Sequence, residues 1–172
     1  MNDTTQFWQD LKTGRFASMV KESAKGKQLS NSQQVYNVLK PMMAEQDDVE
    51  KVYIIFLDAQ NKILAIEKIF SGSITAASIY PREIIKRLIQ LKASAFVIAH
   101  NHPSGQSTPS AEDQAITIKI GIAAASIDVT LHDHIIIADG YHSMADTGWL
   151  KTVSSRFSNH LKPEAPGTGG HD

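Results

Sequence analysis

Cysteine is absent from the 172 residues, which excludes both a disulfide framework and thiolate coordination. Any metal would therefore have to be held by histidine, carboxylate and water. An excess of either charge is also missing: 17 Lys and Arg stand against 18 Asp and Glu, a formal net charge of −1. No global basic field draws the chain to nucleic acid or to an anionic membrane. No apolar run approaches the ~20 residues needed to cross a bilayer. The polar start MNDTTQFWQDLKTG has no hydrophobic core of the kind a secretory signal carries. The expectation is a cytoplasmic protein without a membrane partner. Internal repeats are lacking as well. What is present, 42% hydrophobic residues, suffices for one good core.

Three zones are expected. Residues 1–29 mix charge with Phe7, Trp8 and Phe16 and read as a weakly structured arm. Residues 30–150 read as the domain, and 151–172 as a tail whose Pro/Gly-rich end, HLKPEAPGTGGHD, is expected to be disordered. Within the domain, Ser30 resembles an N-cap for a helix running into the mid-40s, bent or ended by Pro41. Val52 to Leu57 and Ile63 to Ile66, joined by DAQN, read as a β-hairpin that SGS at 71–73 closes off. Pro81 suits the first turn of a helix with an apolar stripe of Ile84, Ile85, Leu88 and Leu91. Lys86, Arg87 and Lys92 are left on its solvated sides. Ala95 to Ala99 reads as a buried strand that delivers His100. A helix from Ser110 to about Ala125 places Ile on several faces and is expected to be buried on most sides. Val129 to Ala138 is a further strand, followed by a tight turn at Asp139-Gly140. Strands interleaved with helices predict a mixed α/β (α+β) sheet with helices packed against it.

Residues 100–113, HNHPSGQSTPSAED, carry the chemistry. In extended chain, positions i and i+2 project to one side, so His100 and His102 can aim at a common point beyond a strand end. A loop with Pro103 and Gly105 can turn back, and Asp113, in the first turn of the next helix, can close a third side. Two histidines and a carboxylate leave a fourth tetrahedral position open for water, the arrangement of a catalytic rather than a structural zinc. Zinc would bring the pKa of that water toward about 7. Each piece also has a plainer reading. Ser110 and Asp113 are spaced as a capping box, Pro103 and Gly105 mark a turn whatever the loop does, and a lone histidine at a strand end is commonly structural. The joint spacing is what favours a metal site.

That spacing, His-x-His-Pro, six residues, Ser, two residues, Asp, matches the JAMM signature. The segments PREIIKRLIQLKASAFVIAHNHPSGQSTPSAEDQAIT and LHDHIIIADGYHSM resemble the RadC family over about residues 45–148. The resemblance implies the JAMM/MPN fold, related to the cytidine deaminases, with zinc on His100, His102 and Asp113. It also implies an upstream glutamate that moves the proton. Glu50, Glu67 and Glu83 are candidates, and Glu50 is favoured because family members place a glutamate eight residues before the aspartate that closes this strand, here Asp58. Ser110 would steady a developing oxyanion. Asp133 and His134 also match, but on a strand they face opposite sides, so His134 is read as structural or as support for the ligands. His132, His142, His160 and His171 read as surface or tail residues. The expected substrate is a peptide or protein, cleaved at a peptide or isopeptide bond. The other reading is a DNA-repair-associated or protein-binding module with a structural or vestigial metal site; the intact ligand set, base candidate and serine favour the enzyme, and the near-neutral charge weakens the link to DNA. Typical members carry an N-terminal helix-hairpin-helix region, and residues 1–45 lack its pattern, as expected of a short form.

Overall fold

Strand β1 (Lys51–Leu57) is buried at all of its positions, and so is β3 (Ala95–Asn101). A strand covered on both faces loses the alternation of a half-buried one and reads as a continuous apolar run, as VYIIFL and AFVIA do. The computed structural model describes residues 5–6, 9–10, 13–43, 48–73 and 79–162. Its five-stranded sheet has the order β2-β1-β3-β4-β5, with β2 at Ile63–Ser71, β4 at Thr130–Ile137 and β5 at Tyr141–Ser143. β1 is antiparallel to both β2 and β3, β3 is parallel to β4, and β5 returns antiparallel on β4.

Helices cover both faces. On one, Val52, Ile54, Phe56, Phe96 and Ile98 pack with Ile84 and Leu88 of α3 (Pro81–Gln90) and Ile116, Ile120 and Ala124 of α4 (Ala111–Ala125). On the other, Tyr53, Ile55, Leu57, Val97 and Ala99 pack with Ala24 of α1 (Arg15–Ala24) and Val35, Leu39 and Met42 of α2 (Ser32–Met43). Each fully buried Ile, Leu or Phe in these layers stabilises the fold by about 1.5–3 kcal/mol relative to exposure. The mixed α+β architecture is the one expected.

Several boundaries differ from those expected. β2 continues five residues past Ile66, to Ser71. Glu67 and Lys68 interrupt its alternation, but Arg87 of α3 holds Glu67 through a bidentate ion pair at this sheet edge. α2 is capped by Asn31, whose Oδ1 accepts from Gln34 N at 2.9 Å, rather than by Ser30, and it runs through Pro41 to Met43. α4 is buried along one stripe, Asp113, Ile116, Thr117, Ile120, Gly121 and Ala124, with its flanks half covered. The segment taken for a loose arm holds α1 and then a stretch whose backbone joins β2: Gly26 N donates to Ile63 O (2.8 Å) and Ile63 N to Lys27 O (2.9 Å). The segment taken for a tail begins with α5 (Lys151–His160), whose Val153 is buried against α4. Phe7, Trp8 and the expected disorder of residues 163–172 lie outside the described residues.

β4 contains one extra residue. Phe96 pairs with Leu131 and Val97 with Asp133, leaving His132 as a bulge. A bulge shifts the phase of a strand, so Leu131 and His134 share the α4 face although they are three apart, while Asp133 turns to the other.

Gly121 reports on the docking of α5. A Cβ there would lie 2.6 Å from Val153 Cγ1 and 3.3 Å from Leu131 Cδ2. Gly121→Ala gains ~1 kcal/mol of helix propensity but overpacks a stiff β-branched neighbour at about 1–3 kcal/mol. The expected result is a net loss of ~1 kcal/mol in urea unfolding. A stabilised variant would mean that α5 does not dock on Gly121.

Candidate metal centre

The end of β3 is held from both sides. Val52 pairs with His100 on one edge, and His102 N donates to Ile137 O of β4 at 2.8 Å on the other. The backbone therefore stays extended through Asn101, and both imidazoles project toward the N-terminus of α4. The chain then turns back at Gly105, whose N donates to His102 O (3.1 Å). Its φ of 81° favours glycine, and the Asp139 carboxylate 3.3 Å from where a Cβ would sit would have to give way to a larger residue. Ser110 caps α4 with the reciprocal bonds of a capping box: Asp113 N donates to Ser110 Oγ (3.1 Å) and Ser110 N to Asp113 Oδ2 (2.7 Å). The capping reading is thus correct, and it is what aims Asp113. Its Oδ1 lies 3.0 Å from His100 Nε2 and its Oδ2 3.2 Å from His102 Nε2, and the two Nε2 atoms are 2.9 Å apart.

The hydrogen bonds around this cluster decide which atoms carry protons. Thr117 Oγ1 donates to Asp113 O (2.5 Å), so it accepts from His134 Nδ1–H (2.5 Å). His134 is fully buried, and that burial, with the neighbouring His100, pushes its pKa well below the ordinary range. It is neutral and carries one proton, so its Nε2 accepts from His100 Nδ1–H (2.8 Å). His102 Nδ1–H donates to Gln106 O (2.7 Å). Both histidines therefore turn bare Nε2 lone pairs toward a carboxylate. Burial works against ionising Asp113, but the hydrogen bonds that His100 and His102 donate whenever an Nε2 takes up a proton outweigh burial and hold it well below the usual carboxylate range. Three electron pairs converging within about 3 Å repel unless a positive charge lies among them. His100, His102 and Asp113 form the single group of metal-ligating side chains among the described residues. The donor set fits a divalent ion that accepts imidazole and carboxylate.

A cleft of about 540 Å³ opens beside His102, lined among others by Asp48, Glu50, Gly72, Ser104 and Ser110. Glu50 immediately precedes β1, and its charge contributes to raising the pKa of His102, after the larger effect of the Asp113 hydrogen bond and against burial. The other glutamate candidates lie elsewhere: Glu67 is engaged by Arg87, and Glu83 is exposed beside Arg82 on α3. Asp133 faces away from the site. Its Oδ1 accepts from His134 N and Ala145 N and its Oδ2 from Ser143 Oγ, and burial, only partly offset by these bonds, raises its pKa. His132 bonds Asn61 Oδ1. Thr117, within the isoleucine-rich ITIKIGI, stands one helical turn after Asp113 and so on its face, and that spacing is the one signal in the sequence that marks it.

Fold and cluster together define a JAB (JAMM/MPN-type) domain. A family model described as a RadC-like JAB domain matches residues 29–149, and the chain belongs to that family. It is 45% identical over 125 residues to a UPF0758 protein of Legionella pneumophila, covering 72% of this chain and 55% of that protein. It is 40% identical over 126 residues to one of Chromobacterium violaceum (73% and 56%), and 45% identical over 102 residues to one of Vibrio atlanticus (59% and 46%). The chain thus spans about half the length of these curated relatives. No helix among the described residues is long and apolar enough to cross a membrane.

Two predictions follow from the proton assignment. Removing the hydroxyl that orients His134, in Thr117→Val, should weaken the affinity of this site for a divalent ion, with zinc as the probe, about 10-fold, within the 10–100-fold range for such supporting groups. Chelator competition measures this, and unchanged affinity would mean that the chain from Thr117 to His100 does not set the ligand's tautomer. The second concerns pH. The Asp113 hydrogen bond raises the pKa of His102 above its ordinary 6.5, so protons should compete with the ion in a window opening above that value. Affinity should fall as pH drops from about 8 to about 6 and recover on return. A flat profile would exclude His102 as a ligand.

Proposed function

We propose that this domain is a zinc-dependent hydrolase of the JAMM type that cleaves a peptide or isopeptide bond. The observation that carries the reading is the convergence of two histidine Nε2 atoms and a buried carboxylate, 2.9 to 3.2 Å from one another, at the side of an open cleft. A structural ion would be served by a closed set of four protein ligands, whereas here three side chains stand beside a space that a substrate can enter.

His100, His102 and Asp113 would hold the ion, which supplies a Lewis acid and, at neutral pH, a readily deprotonated water. Glu50, on the cleft wall, takes the proton from the attacking water and returns it to the leaving amine. Ser110 accepts from Asp113 N through a lone pair, so its own hydroxyl hydrogen remains available to donate to the carbonyl oxygen as negative charge develops there. Its capping role and its catalytic role use different parts of one hydroxyl. The burial of His100 and Asp113, 1% and 2% exposed, keeps bulk water from the back of the cluster and strengthens every charge interaction within it.

Elemental analysis of the purified protein beside Asp113→Ala and Glu50→Gln, with each assayed on peptide and isopeptide substrates, tests the assignment. The expected result is one zinc per chain, lost in Asp113→Ala and retained in Glu50→Gln, with hydrolysis reduced at least ~100-fold in both. A wild-type chain that takes up no zinc on refilling would sink the catalytic reading.

A further inference from the structure

Asn101 stands between the two candidate ligating histidines, and its side chain does something neither imidazole does. The backbone ladder between β1 and β3 ends at the pair Val52 and His100. One step beyond, the Asn101 amide takes its place. Oδ1 accepts from Lys51 N at 2.7 Å, and Nδ2 donates to Val49 O at 3.0 Å. These two groups belong to the peptide units on either side of Glu50. A third bond, from Gly72 N to Glu50 O at 2.9 Å, fixes the same stretch from just beyond the end of β2. With both flanking peptide planes held, the direction in which the Glu50 side chain leaves the backbone is set before β1 begins. Asn101 is 6% exposed, so water does not compete for these bonds.

We propose that Asn101 is a positioning residue for Glu50: it ties the strand end carrying the two histidines to the residue that moves the proton. The inference rests on the role given to Glu50 above. The chemistry explains why the residue is an amide. One planar group must accept from an N–H and donate to a carbonyl at once. Aspartate can do only the first, and its second oxygen would face the Val49 carbonyl. The extended geometry that sends His100 and His102 to one side sends position 101 to the other, so the same three residues set the ligands and, through β1, the base. A displacement of about 1 Å at a reacting group can cost ~100-fold in rate, which sets the expected size of the effect.

The test uses the full chain with zinc, comparing Asn101→Ala, Glu50→Gln and the double variant, with Asn101→Asp, close in size, in case alanine does not fold. Three quantities are read: zinc affinity, kcat and KM on a cleaved substrate, and hydrogen exchange at the Lys51 amide. Asn101→Ala should keep zinc affinity and KM within about threefold, lose ~100-fold in kcat, and expose Lys51 to exchange. The double variant should be no slower than Glu50→Gln alone, because the base it positions is already gone. Asn101→Asp should keep Lys51 protected and still lose kcat. Unchanged kcat in either single variant, equal losses in the presence and absence of Glu50, or a fall in zinc affinity matching that in kcat would each overturn the proposal. If the wild-type chain cleaves nothing, the hydrolase reading fails separately. Exchange then decides the placement: unaltered Lys51 protection in Asn101→Ala overturns it, and lost protection with zinc affinity intact upholds it.

Discussion

Three electron pairs directed at one point are the constraint around which this structure is arranged. His100 Nε2, His102 Nε2 and the Asp113 carboxylate stand 2.9 to 3.2 Å apart, and the arrangement holds only because each group is fastened from behind. His100 is fixed by a buried run of hydrogen bonds through His134 and Thr117 that ends on the backbone of Asp113 itself. His102 is fixed by the Gln106 carbonyl and Asp113 by the Ser110 amide. The sheet contributes stiffness more than contact: β3 is central, buried on both faces, and delivers its histidines at the one end where the chain leaves the layer.

The supporting groups come from parts of the chain distant in sequence. His134 reaches the cluster because β4 lies parallel to β3, a pairing that needs the whole of α4 as its crossover. Thr117 reaches it because α4 presents a single buried stripe to the sheet. The bulge at His132 lets Leu131 pack beneath α4 and α5 while His134, on the same face, meets His100. A regular strand would satisfy one of those demands and not the other.

Much of this was legible in the sequence, for identifiable reasons. The candidate ligands occupy positions whose geometry follows from local periodicity: two on an extended strand end, and one in a helix first turn marked by its own cap. β1 and β3 declared themselves as unbroken apolar runs bounded by turns. The rest depends on contacts between distant segments. The far half of β2 was missed because Glu67 is polar and only Arg87, on another element, explains it. α1 and α5 were missed because neither RFASMVKESA nor KTVSSRFSNH carries more than a few buried positions, Ala24 in one and Val153 in the other. Asn101 carries no local signal of its role, and Thr117 only its spacing from Asp113, since the meaning of each lies in what it bonds across the fold.

The double duty of Asp113 has a thermodynamic consequence. The carboxylate that would hold an ion is also the one that accepts from Ser110 N to start a helix of 15 residues. Helix nucleation is the costly step and propagation the easy one, so an ion that locks this side chain also secures the turn from which α4 grows. By linkage, the reverse holds: a well-formed α4 presents the carboxylate ready-made and lowers the ordering cost of capture. If the site takes an ion, its occupancy and the resistance of α4 to fraying are thereby two readings of one equilibrium, and a substitution that loosens the start of this helix would alter that occupancy without touching His100, His102 or Asp113.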